Sequence, residues 1–99
     1  MSKTFHSVSH SRKGKLTLEV GGKIDGSSAA EICYRIETLE PRVCSLDFSQ
    51  VEAIDVFAAR VLARGLRALR EDGIRFELDG VPQGGAETLC LGGVLEAMI

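Results

Sequence analysis

The sequence predicts an α/β fold: a single-layer, mixed but mostly parallel sheet of four to five strands, with all helices on one face. Three segments alternate strictly between apolar and polar residues, which is typical of strands with one buried side. Two segments with helical spacing separate them, and this order implies parallel pairing through right-handed crossovers. The predicted strands are Leu16–Val20, Cys44–Phe48 and Ile74–Leu78, and the predicted helices are Ser28–Leu39 and Val56–Asp72.

The alternation also predicts which face of the sheet is covered. A sheet with helices on both faces has strands that read as continuous apolar runs, and these strands do not. The helices should therefore share one side. The other face should be largely in solvent, and it carries Thr17, Glu19, Ser45, Arg75 and Glu77.

The N-terminal residues predict one further strand. Lys3–Ser9 can pair antiparallel with Lys15–Gly21 through the turn residues of Ser11–Gly14. With 99 residues, the chain has room for one domain. We expect residues 1–15 to form the N-terminal strand and turn and residues 16–99 to form the core.

The first predicted helix has clear end signals. Its start resembles a capping box, Ser28–Glu31, and Pro41 prevents its continuation. Ile32, Ile36 and Leu39 should line its inner face.

The second predicted helix begins at Asp55 as N-cap and ends at Gly73 as a left-handed cap. A short third helix is expected near Gly85–Leu91. The inner face of the second helix should comprise Ala58, Leu62, Gly65, Leu66 and Leu69.

Composition argues against several classes of protein. The formal net charge of −2 disfavours a nucleic-acid partner. The polar N-terminus lacks the apolar run of a signal peptide or membrane span, so we expect a cytoplasmic protein that does not insert into membranes. Cys33, Cys44 and Cys90 are odd in number and far apart, so we expect buried, reduced thiols and neither a disulfide framework nor a zinc site.

No catalytic constellation is apparent. Gly21–Ser27 lies between a strand and a helix, but its glycine spacing fits no phosphate-binding motif, so we interpret it as a strand-to-helix turn. Asp25, Asp47 and Asp55 lie near strand ends without a His, Cys or Lys beside them, and capping and turn roles fit them better. We expect no enzyme activity, no bound metal and no cofactor.

The start of the second helix is a candidate contact site. At about 100° per residue, Val56 falls on the outward arc with Arg60 and Arg67, and Phe57 falls on its flank. Two large apolar residues on one exposed turn are typical of a protein contact. Folding of Phe57 over the neighbouring loop is an equal alternative. Arg60, Arg64, Arg67 and Arg70 form a basic flank, either a solvated helix face or a surface that steers the chain toward an acidic partner.

The segment Ser45–Asp55 resembles the signature of the STAS family, in which a strand of the type L-D-[LF]-S leads through a short loop to I-D and a helix. Gly22–Asp25 is similar to the family's G-x-[LI]-D turn, and Phe76–Gly80 matches a strand end. The resemblance spans residues 16–99. It implies a regulatory module, like the bacterial anti-sigma factor antagonists, that docks onto a protein partner, often a serine-kinase anti-sigma factor. In such proteins, phosphorylation of a Ser or Thr directly after the aspartate releases the partner.

Val56 occupies that phosphoacceptor position here, so the usual switch cannot operate. Three functions remain open. The chain could bind its partner without phosphorylation at this site, it could be a STAS partner subunit of an ABC-transporter ATPase, or it could bind a small ligand or nucleotide near the carboxyl ends of the strands. The predicted docking surface comprises Asp25, Asp55, Val56 and Phe57, with Arg60 at its border. Whether Ser27, Ser28 or Ser49 is phosphorylated, and whether the uncovered sheet face forms a homodimer, also stays open.

Overall fold

The computed structural model describes residues 5–80 and the single residue Gly93. The four strands form one sheet in the order β1-β2-β3-β4, in which β1 is antiparallel to β2 and the other pairs are parallel. The predicted mostly parallel α/β sheet is therefore confirmed. The predicted helix Gly85–Leu91 lies outside the described residues, as do Cys90 and the beginning of the Lys3–Ser9 strand. The elements are β1 (Phe5–Arg12), β2 (Lys15–Ile24), α1 (Gly26–Leu39), β3 (Val43–Ile54), α2 (Val56–Glu71) and β4 (Arg75–Gly80).

One face of the sheet builds the hydrophobic core together with both helices. The alternate residues of β2 and β3 that the pattern predicted as apolar, such as Leu18 and Leu46, are fully buried. They belong to one continuous cluster with Ile32 of α1 and Leu62 of α2. Because α1 and α2 also contact each other, both helices lie on the same side of the sheet, as predicted.

The opposite face is mostly polar, with one departure from the prediction. Glu19, Arg75 and Glu77 are exposed, but Ser45 is buried. Ser45 lies in β3, between its register partners Thr17 of β2 and Glu77 of β4. The longer side chains of these two residues flank it on both sides. A small residue between two longer neighbours loses its access to solvent even on an uncovered face.

β1 and β2 form a tight hairpin. Arg12 pairs with Lys15, and the two residues between them, Lys13 and Gly14, both have positive φ angles, 51° and 81°. A two-residue turn with positive φ at both positions matches the twist of antiparallel strands. The predicted N-terminal pairing is confirmed, with a tighter turn than Ser11–Gly14 suggested.

The first helix begins earlier than predicted. Its N-cap is Asp25, whose carboxylate accepts a hydrogen bond from the backbone N–H of Ser28 at 2.8 Å. The predicted capping box at Ser28 was therefore wrong. Asp and Ser cap equally well, and the strand reaches far enough to place the aspartate at the helix start. Leu39, predicted to face inward, is 45% exposed because it ends the last turn, directly before the left-handed Glu40.

The two central strands are also longer than the alternation predicted. β2 continues through Gly21–Ile24 and β3 through Ser49–Ile54, with register irregularities on both sides of Gly21 and Gly22. The Gly21–Ser27 segment is therefore mainly strand, and Asp25 alone connects β2 to α1. β-bulges disturb the two-residue period, which is why the alternation ended too early.

The second helix begins as predicted and ends at Glu71, one residue before the predicted Asp72. Asp55 is the N-cap, the helix runs over Val56–Glu71, and Gly73 follows with a φ of 106°. Gly65 packs closely against Cys33 of α1, and a Cβ at Gly65 would overlap the Cys33 Sγ atom.

Cys33 and Cys44 are free thiols, half-buried and buried respectively. Burial raises the pKa of Cys44 to about 12, and burial together with the charge of Glu37 raises that of Cys33 to about 11. Both thiols are therefore held in the neutral, unreactive form at neutral pH.

Candidate functional site

The two helices begin side by side at the carboxyl edge of the sheet. Ile24 of β2 and Ile54 of β3 are register partners. Each is followed directly by an aspartate that serves as N-cap, Asp25 for α1 and Asp55 for α2. Because parallel neighbours end at the same edge, the first turns of both helices form one continuous surface.

Both aspartates have structural roles. The Asp55 carboxylate accepts the backbone N–H of Ala58 at 2.6 Å. The Asp25 carboxylate accepts the backbone N–H of Ser28 at 2.8 Å and its hydroxyl at 2.9 Å. These two bonds, the backbone one first, lower the pKa of Asp25. A carboxylate held ionised by its donors is a poor general acid, which agrees with the capping role that the sequence predicted.

Val56 and Phe57 lie on the first turn of α2 and are strongly exposed. Val56 is 58% accessible and Phe57 67%. Within residues 5–80, the only large apolar residue as exposed as Phe57 is Tyr34 of α1. The predicted outward orientation of Val56 is therefore confirmed. Partner binding by these residues stays a prediction.

Phe57 also packs on the neighbouring helix. A Cβ built on Gly26 would lie 2.6 Å from Cε2 and 2.9 Å from Cδ2 of the Phe57 ring. One side of the ring therefore rests on the first residue of α1, and the rest stays in solvent. Phe57 therefore covers the neighbouring segment with one side of its ring. The partner contact that the sequence predicted for this residue stays a prediction.

Arg60 is exposed one turn beyond Val56, so the structure brings the five predicted site residues to one region of the surface. Asp25 and Asp55 form its base as caps, Val56 and Phe57 its apolar part, and Arg60 its border.

The three candidate phosphoacceptors differ in accessibility. Ser28 is buried, and its hydroxyl donates to Asp25. Ser27 is exposed on the first turn of α1, and Ser49 is exposed within β3. The Ser49 backbone N–H donates to the Asp47 carboxylate at 2.9 Å.

Gly26 is the residue of this surface that the sequence analysis missed. Its lack of a side chain is what admits the Phe57 ring. A repeated Ile-Asp pair, Ile24-Asp25 and Ile54-Asp55, precedes both helices and could have indicated that their starts are equivalent neighbours.

Within residues 5–80, no group of three or more His, Cys, Asp or Glu side chains is arranged to hold a metal ion. No helix in that part of the chain is long and apolar enough to cross a membrane.

Comparison with known proteins adds two findings. The solved structures that share the fold include "Crystal Structure Analysis of Mglu", at 26% identity with a TM-score of 0.67, and "Crystal Structure Analysis of Mglu in its native form", at 19% identity with a TM-score of 0.61. Each alignment covers 73% of this chain but only 19% and 23% of the matched chains, so the chain spans about a fifth of their length. No curated protein matches the sequence.

The second finding is a family model described as "Mlab, STAS domain", which matches residues 8–99. The chain belongs to this STAS family.

Proposed function

We propose that the chain is a non-catalytic regulatory module, similar to an anti-sigma factor antagonist, that binds a protein partner through the start of α2 without phosphorylation at the usual site. The observation that carries this proposal is the exposure of Val56 and Phe57 at the position where the family resemblance implies a switchable hydroxyl. Valine has no oxygen that could accept a phosphate.

The energetics of these two side chains support a contact role. Complete burial of a Val or Phe side chain contributes roughly 1.5–3 kcal/mol. Since 58% of Val56 and 67% of Phe57 is accessible, a partner that covers both would gain about 1–2 kcal/mol from each. Phe57 is also held in place by Gly26, so less side-chain entropy is lost on binding.

Val56→Asp tests the proposal. The added charge should abolish partner binding, because an unpaired carboxylate would be buried in the contact. Stability should change by less than about 1 kcal/mol, because the site is exposed. The matched control is Val8→Asp, which makes the same change at another exposed valine, 46% accessible on β1.

The assay is affinity capture of bound proteins with the unaltered chain and both variants, followed by mass spectrometry and thermal denaturation. A protein that is retained by the unaltered chain and by Val8→Asp but lost from Val56→Asp would support the proposal. Equal retention by both variants would refute it, and unfolding of Val56→Asp would show that Val56 belongs to the core.

A STAS subunit that partners an ABC-transporter ATPase is the second candidate. The same observation favours it, because a permanent structural subunit needs no switchable hydroxyl at position 56. The captured protein separates the two functions: a kinase-like anti-sigma factor favours the first, and a transporter ATPase favours the second.

A small-ligand or nucleotide role has less support. An open cleft of about 760 Å³ lies at the amino ends of the parallel strands, where Arg42, Asp72 and Arg75 border it. That is the opposite end of the sheet from Asp25 and Asp55, where the sequence predicted such a ligand. A thermal-shift panel of nucleotides with and without magnesium tests this function, since a ligand of the folded state raises the melting temperature.

A further inference from the structure

The outer face of α2 extends the proposed docking surface into a longer strip. At about 100° per residue, five residues fall within an arc of about 100°, opposite the buried Leu62, Leu66 and Leu69. With a rise of about 1.5 Å per residue, the strip is roughly 16 Å long. We call it the α2 strip, and its residues, all exposed, are Val56, Phe57, Arg60, Arg64 and Arg67.

The α2 strip is positively charged in an otherwise acidic protein. α2 carries four arginines and one glutamate, a net charge of +3, whereas the whole chain has a formal charge of −2. The remaining residues therefore carry a net charge of −5. Positive charge is concentrated on the helix that presents the exposed valine and phenylalanine.

Within residues 5–80, the ion pairs are Lys15–Glu77 and Arg35–Glu31. Neither involves an arginine of α2. In α1 the Arg35 guanidinium lies 3.3 Å from the Glu31 carboxylate one turn earlier, so the arginine of that helix is paired within the helix. The arginines of the α2 strip have no such neighbour on their own helix before Glu71.

We infer that the partner of the α2 strip is an acidic protein surface: an apolar pocket that receives Val56 and Phe57, followed by carboxylates that meet Arg60, Arg64 and Arg67. This inference rests on the proposed function and adds the chemistry of the partner to it. Arginine favours such contacts, because its planar guanidinium can bind a carboxylate through two parallel hydrogen bonds. Complementary charges along an interface raise the association rate and fix the orientation of the partners.

An anionic membrane or a nucleic acid fits the α2 strip less well. The aliphatic face of α2 is committed to the core through Leu62, Leu66 and Leu69. Val56 and Phe57 at one end of the α2 strip do not form the long apolar face that an interfacial helix inserts among lipids. Nucleic-acid binding normally uses a basic surface with aromatic platforms for bases, and the one aromatic ring of the α2 strip lies at its end against Gly26.

The test uses two synthetic helical peptides and the ¹⁵N-labelled chain. Both peptides carry one leucine near one end. The acidic peptide has glutamates, and the basic peptide has lysines, at the spacing that matches the three arginines. An exposed ion pair changes binding by roughly 1.4- to 5-fold. With three attractive pairs in one peptide and three repulsive pairs in the other, we expect the acidic peptide to bind at least about sevenfold more tightly, with amide shifts along residues 56–67. A triple variant, Arg60→Glu, Arg64→Glu and Arg67→Glu, should reverse this preference.

The matched control is Lys13→Glu, Arg42→Glu and Arg75→Glu, which changes the net charge equally at the opposite end of the sheet. It should keep the preference for the acidic peptide. Equal binding of both peptides, or loss of preference in both triple variants, would overturn the inference. Tighter binding of the unaltered chain to phosphatidylglycerol vesicles or duplex DNA through the same arginines would overturn it as well.

A further peptide separates this inference from the proposed function. In it, alanine replaces the leucine of the acidic peptide. If binding depends on the leucine but not on the glutamates, the apolar contact stands and the acidic partner is refuted. If binding depends on the glutamates alone, Val56 and Phe57 are not the anchors, and the proposed docking mode fails.

Discussion

Truncation of Leu62 compared with truncation of Val56 tests the rotational register of α2, on which both the core and the proposed docking surface depend. Leu62 is fully buried, whereas Val56 is 58% exposed on the same helix. Leu62→Ala removes three carbon atoms from the core. At about 0.8 kcal/mol for each buried carbon, the transfer cost is about 2.4 kcal/mol, and the cavity left behind brings the expected loss to about 2–5 kcal/mol.

Val56→Ala should behave differently. The transfer cost for the two-fifths of the side chain that is covered is about 0.7 kcal/mol, and alanine regains about 0.5 kcal/mol of helix propensity. The net change should stay within about 0.5 kcal/mol. Both side chains are aliphatic, so hydrophobicity alone would give the two substitutions similar costs.

Urea denaturation followed by circular dichroism measures both free energies of unfolding, and thermal denaturation measures the corresponding Tm values. In a domain of this size, 1 kcal/mol shifts Tm by about 4–8 °C, so Leu62→Ala should lower Tm by at least about 8 °C and Val56→Ala by less than about 4 °C. Similar shifts for the two variants would show that the outward arc is wrongly assigned, and the docking surface would fail with it.

Two further predictions concern the contact between the helices and the cap of α1. Gly65→Ala should destabilise the chain, because the new Cβ overlaps the Cys33 Sγ atom. In a Cys33→Ala background, Gly65→Ala should lower the free energy of unfolding by at least about 1 kcal/mol less than in the unaltered chain. If urea denaturation shows that the effects of the two substitutions are additive, the contact is contradicted. Because Ser28 lowers the pKa of Asp25 in the folded state, ionised Asp25 contributes stability above its unfolded pKa near 4, and this contribution is lost as pH falls through the lower folded pKa. The stability difference between the unaltered chain and Asp25→Asn should therefore shrink in acid, and a pH-independent difference would show that the charge of the cap is unimportant.

The sequence predicted the layers of the fold well and the ends of its elements less well. Strict alternation at residues such as Leu16, Leu18 and Val20 indicates one buried face without any knowledge of tertiary contacts. The start of α1 was misplaced because Asp25 and Ser28 are both good capping residues, and the choice between them depends on where β2 ends. That end lies beyond the bulges around Gly21, which periodicity cannot resolve.

The candidate site was predictable where it depends on one helix and unpredictable where it depends on two. Helical geometry alone placed Val56 outward and Leu62 inward. The contact between Phe57 and Gly26 requires the register of β2 against β3, and two irregularities set that register. Local sequence therefore predicted the exposed valine but left two conformations open for the phenylalanine.

The physical design of α2 separates the residues that stabilise the fold from the proposed docking surface within sixteen residues. Its buried arc holds the sheet through Leu62, Leu66 and Leu69, and its opposite arc carries the apolar tip and the arginines. Changes on the outer arc therefore have little effect on the free energy of unfolding, and they leave the Asp55 cap in place, since that bond uses only the backbone N–H of Ala58. The residue after Asp55 can accordingly change without altering the helix. A substitution there changes the chemistry of the proposed docking surface, while the scaffold that presents it stays the same.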